Sequence, residues 1–196
     1  MFSRGLDGWT IEGDVAVFEQ RPTGGSPGGF LFWQDSAAGA DSYWNAPAKF
    51  LGDLSEFGGG RLTFDWYASA DNYQNGDVLI TGTNGVTLVG DVTDPGAGWT
   101  DAAIRLGVTG NWHVDTIDGP LATVRQIRAV LADVTQLQIR AEHVNGGETG
   151  GLDSVSLISK PVRPLAAEVF GDDRHAGAAD VTSAHHAPDA MHLTLV

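Results

Sequence analysis

Residues 61–67 read Arg-Leu-Thr-Phe-Asp-Trp-Tyr, and their alternation leaves the backbone few choices. Leu62, Phe64 and Trp66 fall on one side, and Arg61, Thr63, Asp65 and Tyr67 on the other. A period of two marks a strand with one face buried. The stretch before it, residues 43–60, is a defined loop. Pro47, Gly52 and the run Gly58-Gly59-Gly60 interrupt regular structure, while Trp44, Phe50 and Phe57 need a surface to pack on. The sheet that contains the strand supplies it.

The rest of the chain follows the same logic. Residues 15–21 alternate weakly, residues 22–29 are turn-rich, residues 30–34 are apolar and aromatic, and residues 42–45 return as a short strand. Residues 77–81 and 86–89 flank Gly82-Thr83-Asn84-Gly85, a hairpin with glycine where a positive φ is needed. Residues 99–106, 136–143 and 152–158 add further strands. One helix is predicted over residues 124–134. Thr123 can cap it, Gln126 can close a capping box, and Val124, Ile127, Leu131 and Val134 make an apolar stripe. About ten short strands and one helix, separated by turn signals, predict an all-β antiparallel sandwich or barrel. The first and last strands are expected to pair and close the body, so that residues 1–159 form one domain. Residues 160–196 are rich in Ala, Asp and His, with Phe170 their single aromatic residue, and read as a linker and mostly disordered tail.

Charge and composition narrow the function. The net charge is −14, from 25 acidic against 11 basic residues, which repels nucleic acid and anionic lipid. Such acidity serves solubility, and acidic clusters also hold calcium. The absence of cysteine removes disulfides, thiol catalysis and cysteine–zinc sites. No apolar run reaches the roughly 18 residues of a membrane helix. The opening residues show no charged region followed by an apolar core, so no cleavable signal peptide is visible.

Several landmarks occur in one order: LDGW at 6–9, YWNAPAKFLGD at 43–53, FGGGRLTFDW at 57–66, Trp99, Trp112, the capped helix, LQIRAEH at 137–143 and GGLDSVSL at 150–157. Together they resemble the laminin IV type A domain, also called the laminin B domain, over about residues 1–158. The resemblance implies a jelly-roll sandwich, galactose-binding-like and similar to carbohydrate-binding modules. It also implies a non-catalytic extracellular module for adhesion, with a glycan or matrix component as partner. Family members in animals sit among EGF-like repeats. A chain without cysteine has no such neighbours, so a secreted bacterial protein is its expected home.

Candidate site residues follow. Alternation places Asp153 on the same face as Val155 and Leu157, taken as inward. A carboxylate there must be satisfied by backbone amides, by Arg140 or by a metal. The resemblance implies one structural calcium between the first strand, a mid-chain loop and the last strand. Asp153 and Asp53 are then its ligands, with Ser3 at the first-strand position. The aromatic inventory for sugar stacking is Trp33, Tyr43, Trp44, Tyr67, Trp99 and Trp112, most of which are expected in the core. Tyr67 lies opposite the inward face of its strand. Tyr43 and Trp44 are consecutive and must point to opposite faces, so one of them is expected at the surface. Tyr43, Trp44 and Tyr67 are therefore the ligand-binding candidates.

A polysaccharide-active enzyme on the same scaffold is the alternative, and a structural spacer is a third reading. Asp65 and Glu142 are outward by alternation, but no nucleophile elbow, phosphate-cradling loop or HExxH helix is present. His113 and His143 are isolated. In the tail, His185, His186 and His192 with Asp180 and Asp189 could take a transition metal, although a solvated tail is the simpler reading. The terminal MHLTLV is a candidate export signal.

Overall fold

A computed structural model describes residues 2, 3, 5–36, 39, 41–72 and 74–161. The expectations for residues 162–196, including the histidine cluster and the terminal segment, lie outside the described residues. The described residues form eleven strands: β1 (Thr10–Glu12), β2 (Val17–Gly25), β3 (Gly28–Gln34), β4 (Tyr43–Asn45), β5 (Arg61–Ala68), β6 (Val78–Gly82), β7 (Thr87–Gly90), β8 (Thr100–Arg105), β9 (His113–Val114), β10 (Val134–Arg140) and β11 (Thr149–Ile158). One α-helix, α1 (Val124–Leu131), joins them. The strands make two antiparallel sheets, ordered β1-β4-β10-β6-β7-β9 and β2-β3-β11-β5-β8. The result is a β-sandwich of the jelly-roll class.

The core follows from the alternation of β5. Leu62, Phe64 and Trp66 are each 1% exposed or less and meet the inner residues of the other sheet, Trp44, Ile80, Leu137 and Ile139, in one apolar cluster. Burying each such side chain contributes roughly 1.5–3 kcal/mol. Helix α1 starts as expected. Thr123 Oγ1 accepts the Gln126 N–H, and Gln126 Oε1 accepts the Thr123 N–H.

The observed fold departs from the expectations in four places. The opening strand does not pair with the last one. β11 already has β3 and β5 on its two edges, so β1 pairs with β4 instead. The turn-rich residues 22–29 are mostly strand, because β2 continues to Gly25 and the reversal is confined to Ser26 and Pro27. The helix ends at Leu131 and buries Ile127, Val130 and Leu131, while Val124 is exposed. Val134 leaves the helical stripe because its N–H and carbonyl bond those of Gly52, at 2.7 and 2.8 Å, which starts β10.

The fourth departure decides the site. Asp153 opposes Asp65 and Ser156 opposes Thr63, so Ser154 and Val155 together face the single residue Phe64. Ser154 takes φ 53°. The extra residue is a β-bulge, and it reverses the parity of the strand. Val155 and Leu157 point into the core, whereas Asp153 lies with Asp65 on the outer face, against the sequence expectation.

Candidate functional site

Register brings side chains from all five strands to the outer face of the five-stranded sheet. These are Arg21 of β2, Phe30 and Phe32 of β3, Gly151 and Asp153 of β11, Asp65 and Tyr67 of β5, and Asp101 of β8. Gly151 pairs with both Phe32 and Tyr67. A Cβ on it would overlap the Tyr67 ring, so the ring lies across the β11 backbone. Trp99, just before β8, packs edge-on to Tyr67 with centroids 4.9 Å apart and to Phe30 at 5.2 Å. Its indole N–H donates to the Gly24 carbonyl at 2.8 Å, which anchors the ring to the β2 end. The Arg21 guanidinium carbon stands 3.2 Å above the Phe32 ring, and Arg21 Nε donates to Glu19 Oε1 at 3.0 Å. Arg21, Thr23, Gly24, Phe30, Tyr67, Ala97, Gly98 and Trp99 line an open groove of about 360 Å³.

Carboxylates border this aromatic floor. Burial, and then hydrogen bonding with Asp101, raises the Asp65 carboxyl above its ordinary value. Burial also raises the Tyr67 phenol, with the Arg21 charge opposing. Asp153 is fully buried and its carboxylate accepts the Ser26 N–H at 2.8 Å and the Ser154 N–H at 2.7 Å. Backbone amides therefore bond the buried charge, one of the three solutions open from sequence.

Among the ligand-binding candidates, Tyr67 sits in the groove and the other two do not. Tyr43 and Trp44 are 8% and 1% exposed, so neither is at the surface. Trp44 packs against Phe18 in the core, with ring centroids 5.7 Å apart. Alternation does send Tyr43 outward, but that end of the sheet is covered. Its register partner Arg140 is wholly buried and pairs with buried Asp77 at 3.3 Å. Alternation settles direction and leaves coverage open. The calcium candidates separate similarly. The neighbour of Ser3, Phe2, donates its N–H to Gly29, in the same β2–β3 hairpin that meets Asp153. Exposed Asp53 instead accepts the Ser55 N–H at 2.9 Å, beside the Gly52–Val134 bridge. Glu142, outward by alternation, is 5% exposed.

Sequence reasoning missed Arg21 and Phe30 and left Trp99 without a face. One signal was available: Phe30-Leu31-Phe32-Trp33 carries apolar side chains at both parities, so neither face of β3 can be simply solvated. A larger groove of about 550 Å³ lies between α1 and Gly107, lined by Leu106, Val108, Val124, Ile127 and Lys160 among others. It has no aromatic ring and suits stacking less well. Asp77, Asp91 and Asp94 bring one oxygen each within 4.8 Å of one another, but Asp77 already faces Arg140 and accepts the Val92 N–H at 2.9 Å.

The comparisons agree with this architecture. The family model described as Laminin B (Domain IV) matches residues 43–166. A basement membrane proteoglycan of Caenorhabditis elegans is 26% identical over 161 residues, which are 80% of this chain and 5% of that protein. The L4b domain of human laminin alpha-2 superposes with a TM-score of 0.52 at 20% identity, over 59% of this chain and 68% of that one. A family 11 carbohydrate-binding module of a Clostridium thermocellum cellulosomal cellulase gives 0.50 at 17% identity, over 80% of this chain and 94% of that one.

Proposed function

The chain belongs to the laminin B (domain IV) family, and on that premise we propose that it is a non-catalytic extracellular binding module for a neutral glycan chain. The single observation that carries this reading is the Phe30–Tyr67–Trp99 cluster on the outer face of the five-stranded sheet. An outer sheet face is ordinarily polar, and a groove floored by rings on rigid strands is suited to stacking on the C–H faces of sugars. Arg21, Asp65 and Asp101 border the rings and can bond hydroxyl groups. A net charge of −14 disfavours sulfated or uronate-rich chains. The likeness to a carbohydrate-binding module supports the same reading.

Asp65 and Asp101 are the observation that favours hydrolysis as a second reading. They are register partners on β5 and β8, and Asp101 adds to the rise of the Asp65 carboxyl. Glycoside hydrolysis places one carboxyl group on each side of the scissile bond, roughly 5–10 Å apart, whereas these two stand side by side on one face, which favours binding over chemistry.

A glycan array with affinity electrophoresis tests the proposal. The protein is retarded by at least one neutral polysaccharide, and Tyr67→Ala and Trp99→Ala each weaken retention about tenfold, the effect of losing one stacked ring worth ~1.4 kcal/mol. A flat array, or retention unchanged in both variants, leaves the spacer reading in its place.

A further inference from the structure

The cations of this acidic chain divide into two groups. Arg21, Lys49 and Arg140 pair with Glu19, Asp7 and Asp77. The other described cations, Arg61, Arg105, Arg125, Arg128 and Lys160, are all exposed, and no carboxylate among the described residues pairs with any of them. They belong to one end of the sandwich. Arg128 and Lys160 line the groove beside α1, and Arg125 stands on the same helix. Arg61 and Arg105 are register partners where β5 starts and β8 ends, next to the groove residues Gly59 and Leu106. Like charges directly opposite on neighbouring strands repel each other. Glu56, beside the lining residue Ser55, and Asp133, just past α1, are exposed acids that make no pair with this set. A chain of net charge −14 has thus left one end positive and uncompensated.

The groove within this basic rim is apolar. Leu106, Val108, Val124, Ile127 and Leu131 face its volume of about 550 Å³. Val108 and Val124 are 53% and 48% exposed, and Leu121, just before α1, is exposed as well. Clustered apolar exposure of this kind marks a contact surface more often than scattered residues do. The walls are held by backbone bonds. The Gly59 N–H donates to the Leu106 carbonyl at 2.7 Å, the Leu106 N–H to the Gly60 carbonyl at 3.1 Å, and the Leu54 N–H to the Leu131 carbonyl at 2.8 Å. A groove shaped in advance spares a partner the cost of ordering it.

We propose that this groove docks a short acidic segment of a partner protein, whose aliphatic side chains fill the apolar floor and whose carboxylates face the unpaired cations. Charge complementarity fixes the sign of the partner, and the floor fixes its class. Nucleic acid and sulfated glycans carry no aliphatic side chains, and their dense negative charge meets the repulsion of the whole chain. A peptide with a few carboxylates escapes most of that repulsion, because screening over about 8 Å at physiological ionic strength leaves the local cations in control. Apolar anchors on one face of a peptide, laid into a groove beside a helix, are an established mode of recognition. The surface is separate from the aromatic groove, and its use does not depend on glycan binding.

The test is fluorescence anisotropy of the full chain with a fluorescein-labelled synthetic peptide, in which Leu recurs every three or four positions and Glu fills the rest. The peptide binds the wild type saturably and more weakly as salt rises. Polyglutamate, which offers charge alone, and heparin, an anionic polysaccharide, each bind about tenfold more weakly or not at all. Val124→Asp weakens peptide binding about tenfold. An acid in the first turn of α1 suits the helix dipole, so the urea unfolding midpoint of this variant stays close to that of the wild type. Arg125→Gln combined with Arg128→Gln weakens binding about fivefold and flattens its salt dependence. Lys49→Gln, outside the groove, keeps wild-type affinity. No binding of the Leu–Glu peptide, equal binding of polyglutamate or heparin, or undiminished affinity in both groove variants overturns the proposal.

Discussion

Tyr67 and Gly151 are register partners across β5 and β11, and the phenol ring occupies the space that a side chain at Gly151 would need. Only a residue without Cβ lets the ring lie on the sheet and meet Trp99. Gly151→Ala should therefore displace the ring, cost about 1–3 kcal/mol in urea unfolding, and weaken glycan retention as much as Tyr67→Ala does. An unchanged midpoint together with unchanged retention would contradict the packing described.

Asp153 accepts two backbone N–H groups at the β2–β3 hairpin and the bulge. Asparagine can accept only one of them well and turns an N–H₂ toward the other. Asp153→Asn is expected to lose roughly 1.5–3 kcal/mol. The loss should be equal in EDTA and in calcium, measured by paired denaturation curves. A loss confined to the calcium sample would return Asp153 to the role of metal ligand.

Arg140 is the largest buried charge in the six-stranded sheet. Its Nε pairs with Asp77 at 3.3 Å and its Nη2 donates to His143 Nδ1 at 2.7 Å. The guanidinium can only donate, so the His143 proton sits on Nε2. Arg140→Met leaves Asp77 buried beside no cation and should cost about 3–5 kcal/mol. Asp77→Asn in the same background should recover part of it in a double-mutant cycle, and strict additivity would show that the pair is uncoupled.

Glu148 sets a pH dependence whose sign can be worked out. Its folded value is pushed up to about 7 from an ordinary 4.5. Between those values the folded state holds the proton that the unfolded state has released, so this group's contribution falls as pH rises from about 4.5 to 7. His143 acts oppositely, because burial lowers it to about 3 from 6.5 and the unfolded state binds the extra proton in that window. Glu148→Gln should thus gain on the wild type steadily from about pH 4.5 to 7, read as the difference between paired urea unfolding curves. A difference that is flat with pH would contradict the buried carboxyl.

Much of the fold was legible because alternation and turn chemistry are local. The inner face of β5, the β6–β7 hairpin and the Thr123–Gln126 cap each follow from residues adjacent in sequence. The site was less legible because it depends on where alternation fails and on what covers a face. The bulge at Ser154 moved Asp153 to the other side of its sheet, and no residue type in Asp-Ser-Val announces it. Tyr43 and Trp44 point to opposite faces as read, yet neither is at the surface: Tyr43 lies beside the buried pair of Asp77, just before β6, and Arg140 of β10. The surroundings that raise the Glu148 carboxyl include Asp35, far away in sequence, and only the folded chain shows them together.

The central claim is that the outer face of the five-stranded sheet is the recognition surface. Amide and indole shift mapping of the ¹⁵N-labelled protein, titrated with a soluble oligosaccharide of the polysaccharide that retards it, tests this most directly. The account predicts perturbations at Arg21, Phe30, Tyr67, Gly151 and the Trp99 indole. Perturbations centred on Leu106, Val108 and Ile127 beside α1, or none with any oligosaccharide, would contradict it.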